Sequence, residues 1–336
     1  MQIGKLPADT LNRLLAKTPL VEGVLIGPAY GEDAAAVAFG GKVLVAATDP
    51  ITFTTDRIGC YAVSVNANDI ATHGARPRWF LATILLPEGS PEALAEAVFD
   101  QIRDSCERIG VALIGGHTEI TQAVGRVVVC GCMLGEVDEG KLIRTAGARV
   151  GDALILAGGI AIEGTGILAR EAAHELAARG VAREVIESAA RLIDNPGICI
   201  LDYAMIAIEV GGVTSMHDPT EGGLATALRE LATASGRGLR IDRGAIQILP
   251  ECRAVCDALG LDPLGLIASG SLLIACAPDR AERIGDALRS RDVPASVIGE
   301  VVEAKCGLEF DGGGDLPAFA RDEIARCFEE RGNHGK

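Results

Sequence analysis

Two short apolar runs, FLATILL at 80–86 and VALI at 111–114, flank the stretch SPEALAEAVFDQIRDSCERIG. This stretch constrains the fold most, because Leu94, Val98, Ile102, Cys106 and Ile109 recur at spacings of four, four, four and three, the period of one helix face. Ser90 is placed to cap the helix, Pro91 to open it and Gly110 to close it. The order strand, amphipathic helix, strand predicts a layered α/β (α+β) protein. Two further runs, VLVAA at 43–47 and VVVCGCML at 127–134, complete the outline of a first sheet. An interior built from Ala, Val, Ile and Leu suits this class, since 49% of residues are hydrophobic and only 3% aromatic.

A second set of strands and helices begins near GDALILAGGIAIEGTGILAREAAHELAARG and continues through SGSLLIACAP and ASVIGEVV. At 336 residues the chain is long for one core, which predicts two domains, 1–150 and 151–336, divided after DEGKLIRTAGARVGD. The formal charge of −15 opposes contact with nucleic acid or an anionic membrane, and leaves a phosphate ligand in need of a divalent cation. No run of about 18 apolar residues is present and the N-terminus has no signal pattern, so a cytoplasmic protein is expected. The ten cysteines are expected to be reduced, with Cys130/Cys132 on a strand and Cys252/Cys256 one helical turn apart read as small buried hydrophobes rather than metal ligands.

Carboxylates gather at the ends of apolar runs: Asp33 in GEDAAAV, Asp49 in ATDP, Asn68-Asp69 in NANDIATHGARP, Glu119 in LIGGHTEI, and Asp218 with Glu221 in HDPTEGGLATALREL. Any one of them suits a turn or helix cap. Together, on separate loops, they suit a hard cation such as Mg²⁺ that takes a few carboxylates and completes its shell with phosphate oxygens and water. Gly222-Gly223 opens a helix bearing Leu224, Leu228 and Leu231, and such a start can accept an anion.

These stretches, with TDP, GGHTEI, GGIAIEGTGILA and HDPTEGGLATALRELA, resemble the successive motifs of the AIR synthase superfamily across nearly the whole chain. The branch most similar by pattern is the hydrogenase maturation factor HypE. The resemblance implies a two-domain PurM-like fold, with an N-terminal ATP-binding domain whose sheet pairs across a homodimer and a C-terminal α/β domain. It implies ATP and Mg²⁺ as cofactors, with Asp33, Asp49, Asp69 and Glu119 as metal ligands. Asn68, Gly115, Gly116, Asp218, Glu221 and Lys5 are its further nucleotide contacts, and His117, Glu119 and Asp69 its catalytic groups. His73 and His217 lie in motifs too, but His117, in the Gly115-Gly116 loop, is the expected proton carrier. The implied reaction is phosphorylation of a carbonyl, amide or carbamoyl-type oxygen, with a protein partner in a maturation pathway.

The chain departs from HypE in several places. HypE ends in a cysteine on a flexible tail, whereas this sequence ends RCFEERGNHGK, with Cys327 on what reads as a helix. Glu221 stands where HypE tends to have a basic residue, and Ser269-Gly270 where it tends to have Glu-Gly. A Gly-rich N-terminal stretch is also missing. These differences leave open a different substrate, a small-molecule kinase resembling thiamine-monophosphate kinase, or a non-catalytic ATP-binding partner protein.

Overall fold

A computed structural model describes all residues except 1–4, 7, 20, 335 and 336. The described chain forms two units. One comprises residues 21–27 and 33–142; the other comprises residues up to 19, 28–32 and 143 onward.

The first unit is a mixed sheet of β1 (Val24–Ile26), β2 (Ala35–Phe39), β3 (Lys42–Ala47), β4 (Pro50–Ile51), β5 (Arg76–Pro87), β6 (Ala112–Thr121) and β7 (Val128–Val137). Its order is β1-β2-β3-β7-β5-β6, with β4 also pairing to β7. Only β5 and β6 run parallel, joined by the crossover helix α3 (Glu92–Arg108) whose period was legible. Helix α2 (Ile58–Thr72) lies on β7 and packs against α3. The two helices approach so closely that a Cβ on Gly59 would sit 2.8 Å from the Val98 carbonyl oxygen.

Along β7, Val129, Gly131, Met133, Gly135 and Val137 are buried and alternate with half-buried residues. The opposite face stays open and apolar: Leu81, Leu85, Val128, Cys132 and Leu134 stand half-exposed in register there. Strand β6 forms the sheet edge, and almost all of its residues are exposed, including Ile114 and Ile120.

The second unit begins with α1 (Ala8–Leu15) and is built on a sheet of β8 (Ala153–Ala157), β9 (Val213–His217), β10 (Gly238–Ile241), β11 (Leu272–Cys276), β12 (Ala295–Val302) and β13 (Leu308–Phe310). The order is β13-β10-β12-β8-β11-β9, antiparallel except for β10 with β13. Every residue of β11 is buried, as in a sheet covered on both faces. Helix α8 (Gly223–Ser235) sends Leu224, Leu228 and Leu231 into the main core with Leu154, Leu156, Leu239, Ile241 and Leu273. The remaining helices are α4 (Ile162–Glu171), α5 (Ala173–Ala178), α6 (Arg183–Arg191), α7 (Leu201–Val210), α9 (Pro250–Leu259), α10 (Pro278–Arg289) and α11 (Glu323–His334). No helix among the described residues is long and apolar enough to cross a membrane.

The compact units divide at 142/143, and residues 28–32 belong with the second unit. The Glu32 carboxylate accepts the Thr145 and Ala146 N–H groups at 3.3 and 3.2 Å, and Gly31 lies against the Glu230 backbone. Ser90 does not cap α3; its hydroxyl donates to the Pro87 carbonyl, and Pro91 takes the cap position. Asn68 and Asp69 are not on a loop but inside α2, whose 15 residues include 13 buried ones, so no amphipathic period marks it. Gly115, Gly116, His117 and Glu119 are not on a loop either: they extend VALI into one long strand, β6.

Candidate functional site

In the first unit the structure gathers polar groups where α2 crosses β7. Asn66 is fully buried on α2, and its side chain grips the Asp49 peptide. Its Oδ1 accepts the Asp49 N–H at 2.9 Å, while its Nδ2 donates to the Asp49 carbonyl at 3.3 Å and to the Ala62 carbonyl at 2.8 Å. The Gly131 N–H also donates to the Asp49 carbonyl, at 2.9 Å, and the Thr48 hydroxyl donates to the Gly131 carbonyl at 2.7 Å. Asp49 is thus held through its main chain and remains half-exposed. Glycine at 131 makes this possible, since a Cβ there would collide with Asn66 Nδ2 and lie 2.8 Å from the Phe80 ring.

Asp69 is 6% exposed and lies three residues beyond Asn66, one turn along the same side of α2. Its carbonyl accepts from the Thr72 hydroxyl at 2.8 Å and lies 3.0 Å from His73 Nδ1, so His73 is part of the helix's internal polar set. Asn68 is fully buried on α2, and Asp33 is half-buried just before β2. Asp33, Asp49 and Asp69 offer only hard oxygen donors, the ligand type Mg²⁺ prefers.

Glu119 stands well away from Asp49. Register aligns Gly131 with Ala82 and Ala82 with Gly116, so two strands stand between the Asp49 connection and β6. At about 4.8 Å per strand, the separation is roughly 14 Å, too far to share one ion within a single chain. Glu119 instead meets His117, Oε2 to Nε2 at 3.1 Å, because residues two apart share a strand face; both side chains are largely exposed. Gly116 is held tightly by β5, where a Cβ would collide with the Ala82 carbonyl.

The second unit forms its own polar cluster around the start of α8. The Lys5 N–H donates to Glu221 Oε1 at 2.8 Å, and its Nζ lies 3.4 Å from Thr220 Oγ1 and 3.5 Å from Glu230 Oε1. Glu230 Oε2 is 3.1 Å from His217 Nε2, with both side chains buried. Burial pushes the Glu230 carboxyl up, but Lys5 and His217 outweigh it and hold it below the usual carboxylate range. Burial, reinforced by Glu230, raises the Tyr30 hydroxyl, with Lys5 and Arg229 opposing. Asp218 is 1% exposed between β9 and α8.

At the start of α8 one backbone N–H is already taken by a carboxylate of this chain. Gly222 caps the helix in a left-handed conformation, and its N–H donates to the Asp322 carboxylate at 2.6 Å. Asn66, Glu230, Tyr30 and Asp322 are the site residues that sequence reasoning missed. Only Asn66 carried a signal, as the first Asn of NAND one turn before Asp69. Cys327 is buried on α11, not displayed on a tail. Cys252 and Cys256, with sulfurs 4.0 Å apart, are buried within α9, as small hydrophobes.

Two family models match the chain. That described as AIR synthase related protein, N-terminal domain, covers residues 31–137, and that described as AIR synthase related protein, C-terminal domain, covers 149–310. Carbamoyl dehydratase HypE of Cupriavidus necator is 36% identical over 283 residues, 81% of this chain and 77% of that protein. A hydrogenase expression/formation protein of Methanocaldococcus jannaschii is 30% identical over 314 residues, 91% of this chain and 90% of that protein. Among solved structures, hydrogenase maturation protein HypE in complex with ATP matches with a TM-score of 0.71 at 27% identity, over 87% of this chain and 90% of that one. A ThiL structure complexed with AMPPCP and TMP shares the fold, with a TM-score of 0.71 at 20% identity over 92% and 93% of the two chains.

Proposed function

The chain belongs to the AIR synthase related protein family, and on that footing we propose that it is an ATP- and Mg²⁺-dependent enzyme of hydrogenase maturation. Its reaction is activation of a carbonyl, amide or carbamoyl-type oxygen by phosphorylation. The observation that carries this reading is the Asp49 peptide held by buried Asn66, with Asp69 one turn further along α2. A half-exposed carboxylate on a main chain fixed by Asn66, with Asp69 on the helix that carries Asn66, supplies the hard oxygen donors that suit a cation bridging to phosphate. The relatives' names supply the reaction class: HypE of Cupriavidus necator is called a carbamoyl dehydratase, and one HypE structure holds ATP.

Asp33, Asp49 and Asp69 are the proposed cation ligands of the first unit. Lys5, Asp218 and Glu221 are the proposed nucleotide or acceptor contacts of the second. Bound Mg-ATP supplies the phosphoryl group and neutralises the charge that develops as it moves. The chain's own part is to hold and orient the reactants and to move a proton. His117 is the proposed proton carrier, oriented by Glu119 at 3.1 Å. Because this pair stands on the exposed edge of a sheet whose other face is apolar and open, the proposal includes a homodimer formed through that sheet. A protein partner in maturation is part of the same reading.

The test is titration calorimetry of Mg-ATP into the wild type and Asp69→Asn, followed by phosphorus NMR with amide and carbamoyl compounds. The expected result is binding by the wild type that the variant weakens at least tenfold without a change in its unfolding curve, and that EDTA abolishes. Inorganic phosphate with a dehydrated product fits the proposed activation, whereas a stable phosphorylated product makes the chain a kinase. Wild-type protein that binds no ATP, or a variant that binds as tightly as wild type, refutes the site.

A further inference from the structure

Asp322 immediately precedes α11, is 1% exposed, and makes three hydrogen bonds to backbone N–H groups. Its Oδ1 accepts the Ile324 N–H at 2.8 Å, the bond a helix N-cap makes. The other two bonds do nothing for α11. Oδ1 also accepts the Ile267 N–H at 3.3 Å, and Oδ2 accepts the Gly222 N–H at 2.6 Å, reaching 55 and 100 residues back along the chain.

Those partners belong to one small structure. Gly222 has φ +85° and Gly223 φ +65°, and a Cβ on Gly223 would meet the Leu264 carbonyl oxygen at 2.5 Å and the Leu266 carbonyl oxygen at 2.8 Å. The Thr220 carbonyl accepts the Gly223 N–H at 3.0 Å and the Ala268 N–H at 3.3 Å. The turn that carries buried Asp218 and half-exposed Thr220 and Glu221 therefore rests on the 264–268 segment, and Asp322 ties both together from the start of α11.

We propose that Asp322 is a positioning residue for the ATP-dependent reaction, holding the 218–222 turn in the shape that sets the positions of Asp218 and Glu221. The proposal rests on the functional reading above, in which those two side chains contact nucleotide or acceptor. The carboxylate accepts the Gly222 N–H, so the start of α8 serves as an anchor point. Its charge state matters to the anchor, because an ionised carboxylate accepts from all three N–H groups whereas a protonated one gives up part of that capacity. Burial, with a smaller push from Glu221, outweighs the downward pull of the Gly222, Ile324 and Ile267 amides and raises this carboxyl to about 7. The other charged groups at this junction are Asp262, Glu323 and Arg326; Glu323 is paired with Arg326 and accepts the Asp262 N–H. The anchor thus changes strength in the neutral range.

The test separates anchor from cap. In Asp322→Ser the hydroxyl can still accept the Ile324 N–H and cap α11, but it is too short to reach Gly222. Hydrogen exchange on the full chain is expected to show lost protection at Gly222 and Gly223 with α11 still protected. Mg-ATP affinity or turnover is expected to fall at least tenfold, and its change between pH 6 and 8.5 to flatten relative to wild type. Unchanged exchange at Gly222, or a variant with wild-type affinity, turnover and pH profile, overturns the proposal. A wild type that binds no ATP overturns the functional reading and the positioning role together, while exchange at Gly222 then still reports the anchor by itself.

Discussion

Replacing Asn66 by Ala removes three hydrogen bonds, two to the Asp49 peptide and one to the Ala62 carbonyl. At about 1 kcal/mol net for each bond, the first unit loses roughly 3 kcal/mol. Asn66→Asp should cost more than Ala by about 1 kcal/mol or more, because it buries a carboxylate facing two carbonyl oxygens that now receive an N–H. The single tryptophan, Trp79, lies on β5 of the same unit, so its fluorescence in a urea titration reports the unfolding of this unit. With a urea dependence of about 1–3 kcal/mol/M, the Ala variant's midpoint should fall by roughly 1–3 M. Mg-ATP affinity should fall with it, since Asp49 loses the side chain that fixes its peptide. A loss below about 1 kcal/mol, or an Asp variant no worse than the Ala variant, would refute the view that Asn66 grips Asp49.

Glu230→Gln removes the buried carboxylate that Lys5 Nζ and His217 Nε2 both approach and should cost about 3 kcal/mol near pH 7. Because Glu230 titrates below its ordinary value of 4.5, its stabilisation is present above that value and is lost as pH falls through the lower folded value. The gap between wild type and variant should therefore close toward pH 3 in circular-dichroism melts, and a gap that is constant from pH 7 to 3 contradicts the assignment. Leu81→Asp places a charge on the open face of the first sheet, so light scattering should give a dimer for the wild type and a monomer for the variant. A wild type that is monomeric at working concentration removes the dimer from the proposal.

What could be read in advance depended on whether a segment has two unlike faces. Helix α3 has an apolar side and a wet side, so its period stood out. Strands β3, β5 and β7 alternate and were placed within a few residues. Helix α2 is enclosed all round, and that erased the period and made NANDIATHG look like a loop. The two glycines of β6 misled in the same direction: Gly116 is required by close approach to β5, not by a turn. Glu230 was passed over because a helical glutamate is ordinarily solvated, and only the fold shows that its position in α8 faces His217 and Lys5. The acids at 33, 49 and 69 stood out as candidates from their setting. The residue that holds one of them was not, because an asparagine and a peptide 17 residues apart become partners only when α2 lies on β7.

Strand β7 is the last of its unit to leave the ribosome, yet it is the one that β3, β4 and β5 all pair with. Until residues 128–137 emerge, the β1–β3 ladder and the β5–β6 pair have no strand between them, and α2 has no floor for Asn66 or Ile70 to rest on. The growing chain therefore carries six strands and two helices of this unit whose sheet cannot close. Such a nascent chain depends on delivery of one ten-residue segment, and a pause in translation while residues 128–137 are still inside the exit tunnel would expose it longest to aggregation or proteolysis.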